Sequence, residues 1–140
     1  MLSVIKMKKR LMVPRIVPYE LEKLRSGLKF MLFEGGEPAM RLGYIRFGIT
    51  PQRIGIEGHG QITDRFLGEY HAAQRPLPLE ERIKKYACAR GGGYVDVRSS
   101  MLRFYGKSVD LGPYDRDFLN KTLGDVLGRS YLVEDPNKPR

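Results

Sequence analysis

A chain of 140 residues with 41% apolar side chains is the size of one ordinary domain with a real core, and 25 lysines and arginines against 16 acids give it a net charge of +9. The single cysteine, Cys88, excludes a disulfide framework and a cysteine-based zinc site, and two histidines, His59 and His71, are too few and too isolated for a metal centre. No apolar stretch approaches the roughly 20 residues that span a bilayer, so the expectation is a soluble protein that needs no cofactor and whose charge calls for an anionic partner.

Residues 1 to 19 hold Lys6, Lys8, Lys9, Arg10 and Arg15 and no acid, with apolar residues interleaved. Such a stretch reads either as an organelle transit peptide or as a basic arm retained to lie along a polyanion. Pro14 and Pro18 separate it from a short helical run, Tyr19 to Leu28, in which Leu21, Leu24 and Leu28 share a face. Gly35, Gly36 and Pro38 predict a loop. The division expected is therefore a basic extension with a short helix over residues 1–39, followed by a compact domain over 40–140.

Met40 to Ile49 reads as a strand that Pro51 ends, and Arg53 to Glu57 as a second, edge strand. Gly58, His59 and Gly60 predict a turn with a solvated histidine. Thr63 to Ala73 is helical, with Thr63 or Asp64 as its cap. After Pro76 and Pro78 the helical pattern resumes over Leu79 to Tyr86, and Ala87 to Arg90 leads as a strand into Gly91, Gly92 and Gly93. Cys88, between two alanines, is expected to be a small buried hydrophobe.

The next stretch organises the chain. Tyr94 to Val97 and Leu102 to Tyr105 read as a hairpin turning at Ser99 and Ser100, flanked by two glycine-bearing loops, 91–93 and 106–112. Loops of that composition can turn amide N–H groups toward an anion; equally, they serve as plain glycine turns. Asp115 to Leu127 is the clearest helix, with Phe118, Leu119, Leu123, Val126 and Leu127 on one side and Gly128 past its end. Tyr131 to Val133 closes the chain as a strand. The order predicts an α+β fold, a mixed β-sheet flanked by two main helices.

Four pieces in sequence, Arg41 to Phe47, Glu69-Tyr70-His71-Ala72, Gly91 to Gly93 and Tyr105 to Pro113, resemble the Janus/Ocnus family over roughly residues 40 to 133. The enzymatic members of that family are phosphohistidine phosphatases. The resemblance implies the phosphohistidine phosphatase-like fold and a metal-free phosphate pocket. His71 would be the general base or phosphoryl acceptor, Arg41 the phosphate cation, and Ser108 with the amides of Val109 and Asp110 the oxyanion cradle. An imidazole can take a proton from water at neutral pH, and a cation with convergent amides stabilises a transferring phosphoryl group.

The chain departs from the family at several of these places. Arg41 stands where the family has a lysine, and Tyr94 follows the three glycines where enzymatic members carry arginine. The family's helix cations have no clear match; Arg65 lies near, in another register, and Phe66 takes one of the places. Asp110 sits in the anion loop, where a carboxylate within about 5 Å of a phosphate is repulsive by about 1–3 kcal/mol. Two functions follow. One is a phosphatase acting on a phosphohistidine-bearing protein. The other, preferred on the tail and the altered pocket, is a non-catalytic component of a ribonucleoprotein such as the mitochondrial ribosome. There Lys6, Lys8, Lys9, Arg10 and Arg15 would meet RNA phosphates beside neighbouring proteins, without base selectivity. A mitochondrial location goes with that reading, a cytoplasmic one with its absence, and neither function involves a membrane.

Overall fold

The computed structural model describes residues 13 to 50, 52, 57 to 82 and 85 to 139. Among these, helix α1 (Pro18–Glu22) precedes strands β1 (Leu28–Glu37) and β2 (Met40–Phe47), then helices α2 (His59–Gln74) and α3 (Leu79–Arg82). Strands β3 (Tyr86–Arg98) and β4 (Met101–Tyr105), helix α4 (Arg116–Val126) and strand β5 (Tyr131–Val133) complete the fold. One five-stranded sheet runs in the order β2-β1-β3-β4-β5. All neighbours are antiparallel except β4 and β5, which are parallel, so the sheet is mixed and the α+β expectation holds.

Strand β1 shows why both sides of the sheet must be covered. Phe30, Met31, Leu32 and Phe33 are all fully buried, which period-two geometry allows only where each face packs against something. Leu28, Phe30 and Leu32 join Ile45, Phe47, Val95 and Phe104 beneath Leu119, Leu123 and Leu127 at helix α4. Met31 and Phe33 point the other way, to Ile62, Phe66 and Tyr70 of helix α2, spaced four apart on one face. Phe33 stacks on Phe66 with centroids 4.2 Å apart. Asp115 caps α4 by accepting the Phe118 N–H at 3.1 Å, and Gln61 reaches back to accept the Gly58 N–H at the start of α2 at 2.8 Å.

Several expectations change. The helix predicted to Leu28 ends at Glu22, because Gly27, at φ +90°, turns the chain into β1. The centre of the sheet therefore lies before Met40, and the division at that residue gives way to a fold continuous from β1 onward. Gly35 and Gly36 belong to β1, whose hairpin turns at Pro38 and Ala39 and pairs Glu37 with Met40. Helix α2 begins four residues before Thr63, α3 stops at Arg82, and Tyr86 opens β3. The glycine run 91–93 is no loop; it lies inside that 13-residue strand. Residues 53 to 56, predicted as an edge strand, lie outside the described residues, as do Lys6, Lys8, Lys9 and Arg10. Among the described residues no helix is long and apolar enough to cross a membrane.

Candidate functional site

The residues assigned to a phosphate pocket separate to opposite ends of the molecule. Gly93 pairs with Phe30 near the start of β1, and Tyr86 with Gly36 near its end. Arg41 also pairs with Gly36, seven residues from Lys29 along the strand, about 23 Å. Its guanidinium donates to Glu34 Oε1 at 2.9 and 2.7 Å and to the Gly36 carbonyl at 3.3 Å, and lies 4.1 Å from the centroid of Tyr86. His71 is exposed on the last turn of α2, about 18 Å along the helix from its first residue. Neither can act with Ser108.

His59 and Lys29 stand instead at the Gly93 end of the sheet. His59 is the first residue of α2, not a solvated turn residue: it is 8% exposed, and its Nε2 lies 2.8 Å from the Gly93 carbonyl. A carbonyl only accepts, so Nε2 carries the proton and Nδ1 keeps its lone pair. Burial holds the His59 pKa below the ordinary value; Lys29 acts in the same direction, against the Gly93 bond and Asp110. The ring is neutral at physiological pH. Lys29 shares a face with Met31 and Phe33, opposite Tyr94 across the β1–β3 pairing, and has no ion pair among the described residues.

The glycine run serves packing rather than anions. The Gly92 amide donates to the Gly112 carbonyl at 3.2 Å and its own carbonyl accepts from Ser108 at 2.9 Å. A Cβ on Gly92 would collide with Met31 and the Phe30 carbonyl. Gly91, at φ +87°, passes so close to Pro113 that a side chain would overlap that carbonyl. Cys88, expected to be buried, is only half-buried, with the Arg41 guanidinium 3.9 Å from its sulfur.

Ser108 is buried and holds the second loop closed: its Oγ accepts the Leu111 N–H at 3.1 Å and its carbonyl the Gly112 N–H at 3.0 Å. At the exposed tip, the amides of Val109 and Asp110 have no acceptor among the described residues. These two N–H groups and Lys29 are the anion-seeking donors at this end of the fold, whereas the imidazole offers only its Nδ1 lone pair.

Tyr94 changes what that set can do. Its ring meets His59 edge-on at 5.5 Å, stacks on Tyr105 at 5.8 Å, and lies 3.0 Å from where a Cβ would stand on Gly106. The phenol thus lies between the imidazole and the root of the Gly106–Gly112 loop. With one nitrogen bonded to Gly93 and the ring nearly sealed, His59 acts as a strut joining helix α2 to strand β3.

The cations predicted to meet RNA divide as well. Arg15 is partly occupied within the fold: its Nε donates to the Gly43 carbonyl at 2.9 Å and its Nη2 pairs with Asp125 at 3.1 Å. Arg65 and Phe66, weighed as helix positions near the pocket, point elsewhere. Arg65 binds Glu57 and Glu20, and Phe66 is fully buried. No group of three or more histidine, cysteine, aspartate or glutamate side chains among the described residues is placed to hold a metal ion. No protein-family model matches the chain, and no curated protein matches it.

Proposed function

We propose that this is a Janus-like protein without turnover, an RNA-binding structural component of a ribonucleoprotein such as the mitochondrial ribosome. The observation that carries the reading is the Tyr94 ring between His59 and the Gly106–Gly112 loop. It supplies a wall where the resembled enzymes supply an arginine. Asp110, in the same loop, adds a negative charge where a phosphate would rest. Charge supports the partner: the ion pairs among the described residues occupy nine acids and seven basic residues. Positive charge outside those pairs therefore exceeds even the net +9, and it includes Lys6, Lys8, Lys9 and Arg10.

A second reading, a metal-independent phosphohistidine phosphatase, has one observation in its favour. The Nε2–H tautomer leaves His59 Nδ1 basic, and Lys29 stands on the same face. The base in that reading is His59, with the Tyr94 ring swung aside to admit the phosphoryl group.

The RNA reading is tested by the salt dependence of binding to a single-stranded RNA. Each lysine or arginine that neutralises a phosphate contributes about 0.7 to the slope of log K against log salt. The variant with Lys6, Lys8, Lys9 and Arg10 all changed to glutamine is expected to lower that slope by up to about 3. An unchanged slope removes the tail from the interface.

A further inference from the structure

We propose that the end of the molecule opposite His59 carries a binding site for single-stranded nucleic acid, formed by Arg75, Arg82, Lys85 and Tyr86 and backed by Arg41 and His71. The inference rests on the RNA reading above and gives it a second, folded contact surface.

The site is a cavity of about 530 Å³ lined by His71, Gln74, Arg75, Arg82, Lys85 and Tyr86. It is built rather than incidental. Gln74 is buried, and its amide NH2 is placed to donate to the carbonyls of Arg82 and Lys85 at 3.3 and 3.0 Å, tying that segment to the end of α2. Arg82 Nε donates to the Leu77 carbonyl at 2.7 Å, which fixes the stem and leaves the terminal nitrogens without a partner among the described residues. Arg75 caps the C-terminus of α2, where the helix dipole favours a cation, and it too has no acidic partner among them. The acids nearby are Glu37, 4.0 Å from Lys85 and half exposed, Glu34, held by Arg41, and Glu80 and Glu81 on α3. Neither Arg75 nor Arg82 is neutralised by them.

Cations alone would accept any polyanion; the aromatic beside them selects. Tyr86 is 47% exposed, and one ring face rests on Arg41, itself locked by Glu34 and the Gly36 carbonyl. The remaining exposed ring is a rigid platform on which a base can stack. A second cavity of about 430 Å³, sharing Lys85 and lined by Met40, Leu42, Tyr44 and Tyr70, continues the apolar surface. Cations beside one exposed aromatic face, with no set of donors aimed at base edges, fit a single strand of any sequence. A phosphopeptide would use the cations and leave Tyr86 without a role.

The test is fluorescence anisotropy of a labelled oligouridylate of roughly 12 nucleotides, a length suited to one such groove, against the full chain. Arg75→Gln with Arg82→Gln is expected to weaken binding about tenfold at low salt and to lower the salt slope by about 1.4. Tyr86→Ala is expected to weaken it about tenfold with the slope unchanged. Lys121→Gln with Lys138→Gln, the same charge change on exposed residues outside the cavity, should do neither. Unaltered melting temperatures establish that all three fold. If the cavity variants bind like wild type, or the Lys121/Lys138 control weakens binding as much, the site is overturned while the RNA reading stands. If the wild-type chain fails to bind the oligouridylate, both fall. If a phosphopeptide displaces the oligouridylate at lower concentration than unlabelled oligouridylate does, the nucleic-acid assignment is overturned.

Discussion

Gly91→Ala is expected to destabilise the protein by about 3 kcal/mol, the sum of about 1–2 for a left-handed non-glycine residue and about 1–3 for overpacking. At φ +87° an alanine Cβ would overlap the Pro113 carbonyl, and neither partner can yield. Gly91 lies in an interior strand, and the segment it meets leads directly into α4 through the Asp115 N–H, which donates to the Arg90 carbonyl at 3.1 Å. Gly112→Ala is the control: its φ is +83° but nothing lies within 4 Å of the added Cβ, so only the strain of about 1–2 kcal/mol applies. Urea midpoints at constant m-value measure both. A Gly91→Ala loss no larger than that of Gly112→Ala would show that the strand-to-loop crossing has room.

The second large effect is expected at Arg65. This guanidinium donates to both Glu57 oxygens at 2.9 and 3.0 Å, to Glu20 at 3.1 Å and to the Phe47 carbonyl at 2.7 Å. Glu20 and Glu57 are buried, and Glu20 also accepts the Phe47 N–H at 2.7 Å. The cluster ties α1, the end of β2 and α2 together. Removing one partner strands the others, so Arg65→Met is expected to cost about 3–5 kcal/mol near neutral pH. Burial raises the Glu20 pKa above 4.5, against the Phe47 amide, Arg65 and Arg46. The native state therefore binds the extra proton just above pH 4.5, and stability falls as pH rises through that window, then levels off above the folded pKa. Without Arg65 the folded pKa moves further up. The deficit of the variant should be smallest in acid and grow toward neutrality; urea denaturation at about pH 4.5 and about pH 7 measures it. A deficit independent of pH would mean that the loss comes from packing alone.

What was legible in the chain was whatever depends on local pattern. Helix α4 announces itself through Leu119 and Leu123, its Asp115 cap and Gly128 beyond its end, and the β3–β4 hairpin through alternation on both sides of Ser99 and Ser100. Strand β1 does not alternate, because Phe30 to Phe33 are buried on two faces; the glycines and proline after it then read as a loop. The division of the site was less accessible still. Glu-Tyr-His at residues 69 to 71 is the stronger local motif, but α2 starts at His59, and only the pairing of β1 with β3 reveals which end of the helix meets Gly93. One signal was present: His59 between two glycines ahead of a helical run, and Lys29 as a single charge before four apolar residues. Ser108 is buried within its own loop, where its hydroxyl accepts the Leu111 N–H and keeps its own O–H to donate.

The Tyr94 ring meets His59 edge-on beside the Gly106–Gly112 loop, and among the described residues Arg75 and Arg82 are cations with no acidic partner at the other end of helix α2. Phosphate release from a phosphohistidine peptide, measured for the wild-type chain and for His59→Ala, tests this most directly. The expected result is release by the wild-type chain no faster than in buffer, with His59→Ala the same. Release well above buffer that His59→Ala abolishes would contradict it and make the imidazole a catalytic base with Tyr94 as its gate.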